Sequence, residues 1–93
     1  MNLEVKKLEK NYLEISLLGE DISLADSLRE ILIENSDVEF ASAMLDHPQV
    51  GHPVLIVRTK SKDALELLIK AVEEVKGNAD DFKTALKDSK KSK

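Results

Sequence analysis

Leu13-Glu14-Ile15-Ser16-Leu17-Leu18-Gly19-Glu20-Asp21-Ile22-Ser23-Leu24-Ala25-Asp26-Ser27-Leu28-Arg29-Glu30-Ile31-Leu32 is the stretch in which the hydrophobic period changes. Leu13, Ile15 and Leu17 alternate with Glu14 and Ser16, the period of two that a half-buried strand requires. Past Gly19-Glu20-Asp21 the apolar residues recur at steps of three and four, the spacing of a helix with one buried face. Ser23 and Asp26 have capping-box-like spacing, so a helix is expected from Leu24 to about Asn35, with Ser36 and Asp37 as its break. A strand feeding a helix through a short polar turn is the unit around which the rest of the chain is read.

Upstream, Leu3 and Val5 alternate with charged residues and Glu9-Lys10-Asn11 supplies a turn, which predicts an N-terminal hairpin. Downstream, Val38 to Leu45 and Val54 to Thr59 are strand candidates, the second rich in β-branched residues. Between them, Asp46 to Pro53 carries two prolines and a glycine and reads as an irregular loop. Ser61 is a candidate N-cap, with Asp63 in the first turn to complement the helix dipole. Leu65, Leu68, Val72, Val75, Ala79, Phe82 and Leu86 then follow at alternating steps of three and four. Because this seam keeps phase across Gly77, one continuous helix is expected, although Asn78 could cap a separate second one. The order is ββαββα, an α+β domain with helices packed on one antiparallel or mixed sheet and a long C-terminal helix. A single domain spans residues 1–86, and the Lys-rich stretch from Lys87 to Lys93 reads as a solvated tail.

The chain has 93 residues and no cysteine, so disulfides and thiolate zinc sites are excluded and an intracellular, cytoplasmic protein is expected. The opening Met1 to Lys7 alternates apolar and charged residues, so neither an export leader nor a membrane span is expected. Net charge is −4, and Tyr12, Phe40 and Phe82 are the only aromatics, which argues against independent nucleic-acid binding.

Few residues suggest chemistry. His47 and His52 are the only histidines, and with Asp46 as the one near carboxylate they fall short of a metal-ligand set. Carboxylate pairs such as Glu73-Glu74 and Asp80-Asp81 sit where solvated faces are usual, Ser42 and Ser61 lack a nucleophile elbow, and no Gly-rich phosphate loop occurs. No catalytic residue, cofactor or metal is expected.

The helices carry the informative signal. At about 100° per residue, Leu24, Ala25, Leu28, Ile31 and Leu32 cover an arc of about 120°, wide enough for one sheet contact, and Ile33 lies roughly 80° outside it. Ala64, Leu65, Leu67, Leu68, Ile69, Ala71 and Val72 spread over more than half of the next helix. A chain this short has few elements to cover both, which points to a partner. The expected partner-facing residues are Leu24, Leu28, Ile31 and Leu32 on the first helix. On the last they are Leu65, Leu68, Val72, Val75, Ala79, Phe82 and Leu86. Two other readings stay open: a small-molecule-binding regulatory module using the Asp46 to Pro53 loop, and a nucleic-acid binder relying on Lys87, Lys90, Lys91 and Lys93.

Asn11-Tyr12-Leu13-Glu14, Gly19-Glu20-Asp21 before Ser23-Leu24, and Val38-Glu39-Phe40-Ala41-Ser42 carry a resemblance, continued by His47-Pro48, Asp63-Ala64-Leu65 and Lys70-Ala71-Val72-Glu73. In this order and spacing, over nearly the whole length, the chain resembles the L subunits of archaeal RNA polymerase. That family is related to the smaller assembly subunit of eukaryotic polymerases and to the bacterial α-subunit N-terminal domain. Its usual Glu-Asp-His-Thr-Leu-Gly-Asn reads here Glu20-Asp21-Ile22-Ser23-Leu24-Ala25-Asp26. The resemblance implies a heterodimer with the polymerase's D-type subunit, built through a shared helical interface. It further implies that this pair, with the small N-type and P-type subunits, is the platform on which the large catalytic subunits assemble, and that RNA synthesis belongs to the complex.

Overall fold

In the computed structural model, which describes residues 2–46 and 51–91, the expected hairpin forms from β1 (Asn2–Glu9) and β2 (Tyr12–Leu18). Antiparallel pairing sets Leu3 against Leu17, Val5 against Ile15 and Leu8 against Leu13. Strict alternation from Leu3 and Val5 would turn Leu8 away from the core. A register shift between Val5 and Lys7 restores its phase, as a bulge does by adding one residue to one strand.

β3 (Val38–Leu45) shows the same device, with a shift between Val38 and Phe40, so that Val38, Ala41 and Ala43 all pack toward the core. β4 (Pro53–Thr59), beginning one residue earlier than expected, pairs antiparallel with both β2 and β3. The sheet order is therefore β1-β2-β4-β3, with the strand rich in β-branched residues inside it. Leu13, Ile15, Leu17, Leu55 and Val57 lose all contact with solvent on its inner face.

Three helices share that face. α1 (Ile22–Ile33) lies over β3 and β4, α2 (Ala64–Lys76) packs beside α1, and α3 (Asp80–Lys91) lies over β1. Their buried side chains join those of the sheet in one core cluster. Ala25, at the position where the resembling family has Gly, is fully buried, and Ile22, where that family has His, packs against the same core. Among the described residues no helix covers the outer face, where Tyr12, Phe40, Met44, Ile56 and Arg58 project.

Several boundary expectations are corrected. α1 begins two residues before Leu24 with Asp21 in the N-cap position, and the Ser23 hydroxyl donates to Asp21 Oδ2 instead of capping an amide. α2 is capped by Asp63, whose Oδ1 accepts from the amides of Leu65 (2.9 Å) and Glu66 (3.2 Å). Ser61 is spent elsewhere: its amide and hydroxyl both donate to the carboxylate of Asp37.

The long helix is two helices. Gly77 adopts φ +86°, the left-handed conformation that glycine enters without a Cβ penalty, and its amide donates to Glu73 O at 2.8 Å. Asn78 Oδ1 then accepts from the Asp80 amide to start α3. The seam keeps phase across the break because both helices face the same core, not because the helix is continuous. Turning at Gly77 lets Ala79, Phe82, Ala85 and Leu86 close the core beside β1. The backbone of the Lys-rich end is helical as far as Lys91, where a solvated tail was expected from Lys87.

Candidate partner-binding surface

The residues expected to face a partner divide into two sets. Leu28, Leu32, Leu68, Val72, Ala79, Phe82 and Leu86 are buried in the chain's own core, while Leu24, Ile31 and Leu65 are only partly covered and Val75 is 39% exposed. Core burial and partner burial leave the same apolar spacing in a sequence, so periodicity cannot separate them. The buried set is thus not free in this conformation, and a charge at Leu28 would disrupt the fold before it tested any interface.

What remains accessible is a groove between the C-terminal half of α1 and α2. Its floor is Ile31, Leu32, Leu67 and Ala71, its rim is Glu34, Lys70 and Glu74, and its volume is about 320 Å³. Ile33, which periodicity places outside the sheet-facing arc, stands 50% exposed at the end of α1. Val75 stands exposed near the end of α2. The groove is formed because α1 and α2 pack on one another while each also faces the sheet. Apolar floor with a mixed-charge rim suits an amphipathic helix, which would bring apolar residues to the floor and charges to the rim.

A polar stitch fixes the end of the molecule where α2 begins. Asp37 accepts from the Lys62 amide (2.7 Å) and from both donors of Ser61. These bonds, the Lys62 amide foremost, hold its carboxyl below the ordinary carboxylate range against the opposing cost of desolvation. Asn11 Nδ2 donates to Thr59 Oγ1 (3.0 Å) and Lys62 O (3.2 Å), tying the β1–β2 turn to the same connection. Sequence spacing carries no sign of these contacts, since they join residues 24 to 51 positions apart.

Exposed Phe40, Met44 and Leu45 on β3 were also not singled out, although the alternation of Phe40 and Met44 with small Ala41 and Ala43 is a signal that the larger side chains face outward. His47 and Pro48 lie outside the described residues, as does half of the loop expected to hold a small ligand. The His52 amide donates to Asp46 Oδ1 at 2.6 Å, and no group of three His, Asp or Glu residues among those described is placed to hold a metal. No helix among the described residues is long and apolar enough to cross a membrane.

Comparison with known proteins supplies the family. The family model of the RNA polymerase Rpb3/Rpb11 dimerisation domain matches residues 12–85, from the start of β2 into α3. The chain belongs to that family. Among its curated relatives, the DNA-directed RNA polymerase subunit Rpo11 of Methanothermobacter thermautotrophicus is 37% identical over 82 residues, covering 87% of this chain and 93% of that protein. The Rpo11 subunit of Sulfolobus acidocaldarius is 36% identical over 74 residues, covering 78% and 82%. Among solved structures, the L subunit of the DNA-directed RNA polymerase of Thermoplasma acidophilum superposes with a TM-score of 0.71 at 25% identity, covering 94% of this chain and 86% of that one. Rpo11 is the archaeal name of the L subunit, so family, relatives and fold agree with the resemblance carried by the residues.

Proposed function

We propose that this chain is a non-catalytic assembly subunit of an archaeal DNA-directed RNA polymerase. It heterodimerises with the D-type subunit, and the pair, with the N-type and P-type subunits, forms the platform on which the large catalytic subunits assemble. The observation that carries this reading is the coincidence of a dimerisation-domain family with an open apolar groove between α1 and α2 and with two exposed aliphatic side chains near the ends of those helices, Ile33 and Val75. The contribution of this chain to RNA synthesis is then structural, and the rate at which polymerase assembles depends on it.

The accessible apolar side chains point the expected contacts away from the buried seam and toward Ile31 at the groove and Ile33 and Val75 near the helix ends. Co-expression with a D-type subunit tests this: wild-type chain is recovered with that partner, and Ile33→Glu or Val75→Glu reduces recovery sharply because a buried unpaired charge costs several kcal/mol. Both positions are exposed in the chain alone, so circular dichroism of each variant should match the wild type. Undiminished recovery of both variants with the partner would refute the placement of the interface.

A further inference from the structure

We propose that the outer face of the sheet, at the end where the β1–β2 turn meets the last residues of β4, docks an acidic segment of a partner polypeptide. A concavity of about 590 Å³ lies there, and Lys7, Lys10, Arg58 and Lys60 line it around Tyr12. Glu9 and Glu39 line it too, and Glu14, the cross-strand partner of Lys7, accepts from the Tyr12 hydroxyl at 3.1 Å, so four cations stand against three carboxylates on a chain whose net charge is −4. None of the four cations closes a salt bridge among the described residues. The cluster is therefore not an internal ion-pair network but unused positive charge.

Two of the charges, those of Lys7 and Arg58, are also held in place. Tyr12 and Arg58 are cross-strand partners, and the Tyr12 ring has Arg58 at 5.6 Å and Lys7 Nζ at 5.4 Å from its centroid, within cation–π range. The backbone on either side is pinned by Thr59 N–H to Asn11 O (2.9 Å) and Ala64 N–H to Lys10 O (2.8 Å). A binder meeting this surface loses little entropy in ordering it.

The chemistry favours spaced carboxylates over a phosphate backbone. Glu9 and Glu39 would repel a continuous polyanion, and the one aromatic ring is already engaged by two cations, leaving no stacking platform for bases. Phe40, the other cross-strand partner of Arg58, is 47% exposed and extends the patch with an apolar surface. The fitting ligand is thus an acidic peptide carrying at least one apolar side chain. This surface lies on the opposite side of the sheet from the α1–α2 groove and does not depend on pairing there.

Titration of the full chain with a labelled oligoglutamate peptide containing one leucine, and separately with single-stranded oligothymidylate of equal charge, tests the proposal. The peptide should bind, more weakly as salt rises, and the Arg58→Ala/Lys60→Ala pair should lower its affinity by about tenfold. Arg58→Lys/Lys60→Arg should retain binding, and Lys83→Ala/Lys87→Ala on α3 should leave it unchanged. Absence of peptide binding, an equal loss in the α3 pair, or tighter binding of the oligonucleotide would overturn it. Recovery with a D-type subunit, measured on the same Arg58/Lys60 variant, should be normal, which separates failure here from failure of the groove.

Discussion

Replacing Phe82 by alanine asks whether α3 belongs to the chain's own core. Phe82 is 1% exposed, on a helix that lies over β1 and shares a core with it. Removing a buried Phe side chain costs about 3–5 kcal/mol, from lost transfer energy and the cavity left behind. A chain of 93 residues, at roughly 0.05–0.15 kcal/mol per residue, has about 5–14 kcal/mol in total. Phe82→Ala should therefore remove a large part of the stability of the isolated chain, seen as a lower urea midpoint by circular dichroism. Val75→Ala, at a half-exposed position on the same sequence seam, should cost about 1 kcal/mol or less. Were the last two helices instead one rod extending from the domain, Phe82 would be exposed and its removal would cost no more than that of Val75. Equal and small losses in the two variants would refute the folding back of α3.

Three further outcomes follow from the local geometry. Asp63→Ala should cost about 1 kcal/mol by uncapping α2, measured by urea unfolding, and Ser23→Ala, whose hydroxyl caps no amide, should cost clearly less. Gly77→Ala should destabilise by about 1–2 kcal/mol through backbone strain alone, since a Cβ there meets no atom within 4 Å, and Gly77→Asn, tolerant of the left-handed region, should cost less. Asp37 has a carboxyl held below its unfolded value of about 3.9, so its contribution is present above that pH and is lost as pH falls through the folded value. Asp37→Asn should accordingly be less stable than wild type at neutral pH and approach it in acid, as read from unfolding midpoints across the pH range.

Most of the strand content was legible because Leu13, Ile15 and Leu17 of β2 alternate without interruption toward one face and β4 is a short run rich in β-branched residues. The bulges in β1 and β3 were not, since a step of three between apolar residues such as Val5 and Leu8 reads as a loss of pattern and not as one extra residue. Both predicted serine caps failed in the same way. The acidic neighbour held the cap position at Asp21 and Asp63, and Ser61 was drawn to Asp37 by a contact across 24 residues. At Gly77 the helical pattern outweighed the glycine, yet two helices lying against one core display the same phase as one.

The partner-facing residues were the least legible. Ile33 stands apart because it falls outside the sheet-facing arc, whereas Leu28, Leu68 and Phe82 carry a signal common to every buried helix. The cationic surface around Tyr12 was invisible in sequence because Lys7, Lys10, Arg58 and Lys60 come from segments that only the pairing of β2 with β4 brings together.

If this chain works by pairing with a D-type subunit, native mass spectrometry of the two co-expressed proteins tests that pairing most directly. One copy of each should appear in a single stable complex, and the complex should be lost when Ile33 carries a charge. A chain that remains a monodisperse monomer in the presence of the D-type subunit would contradict the pairing.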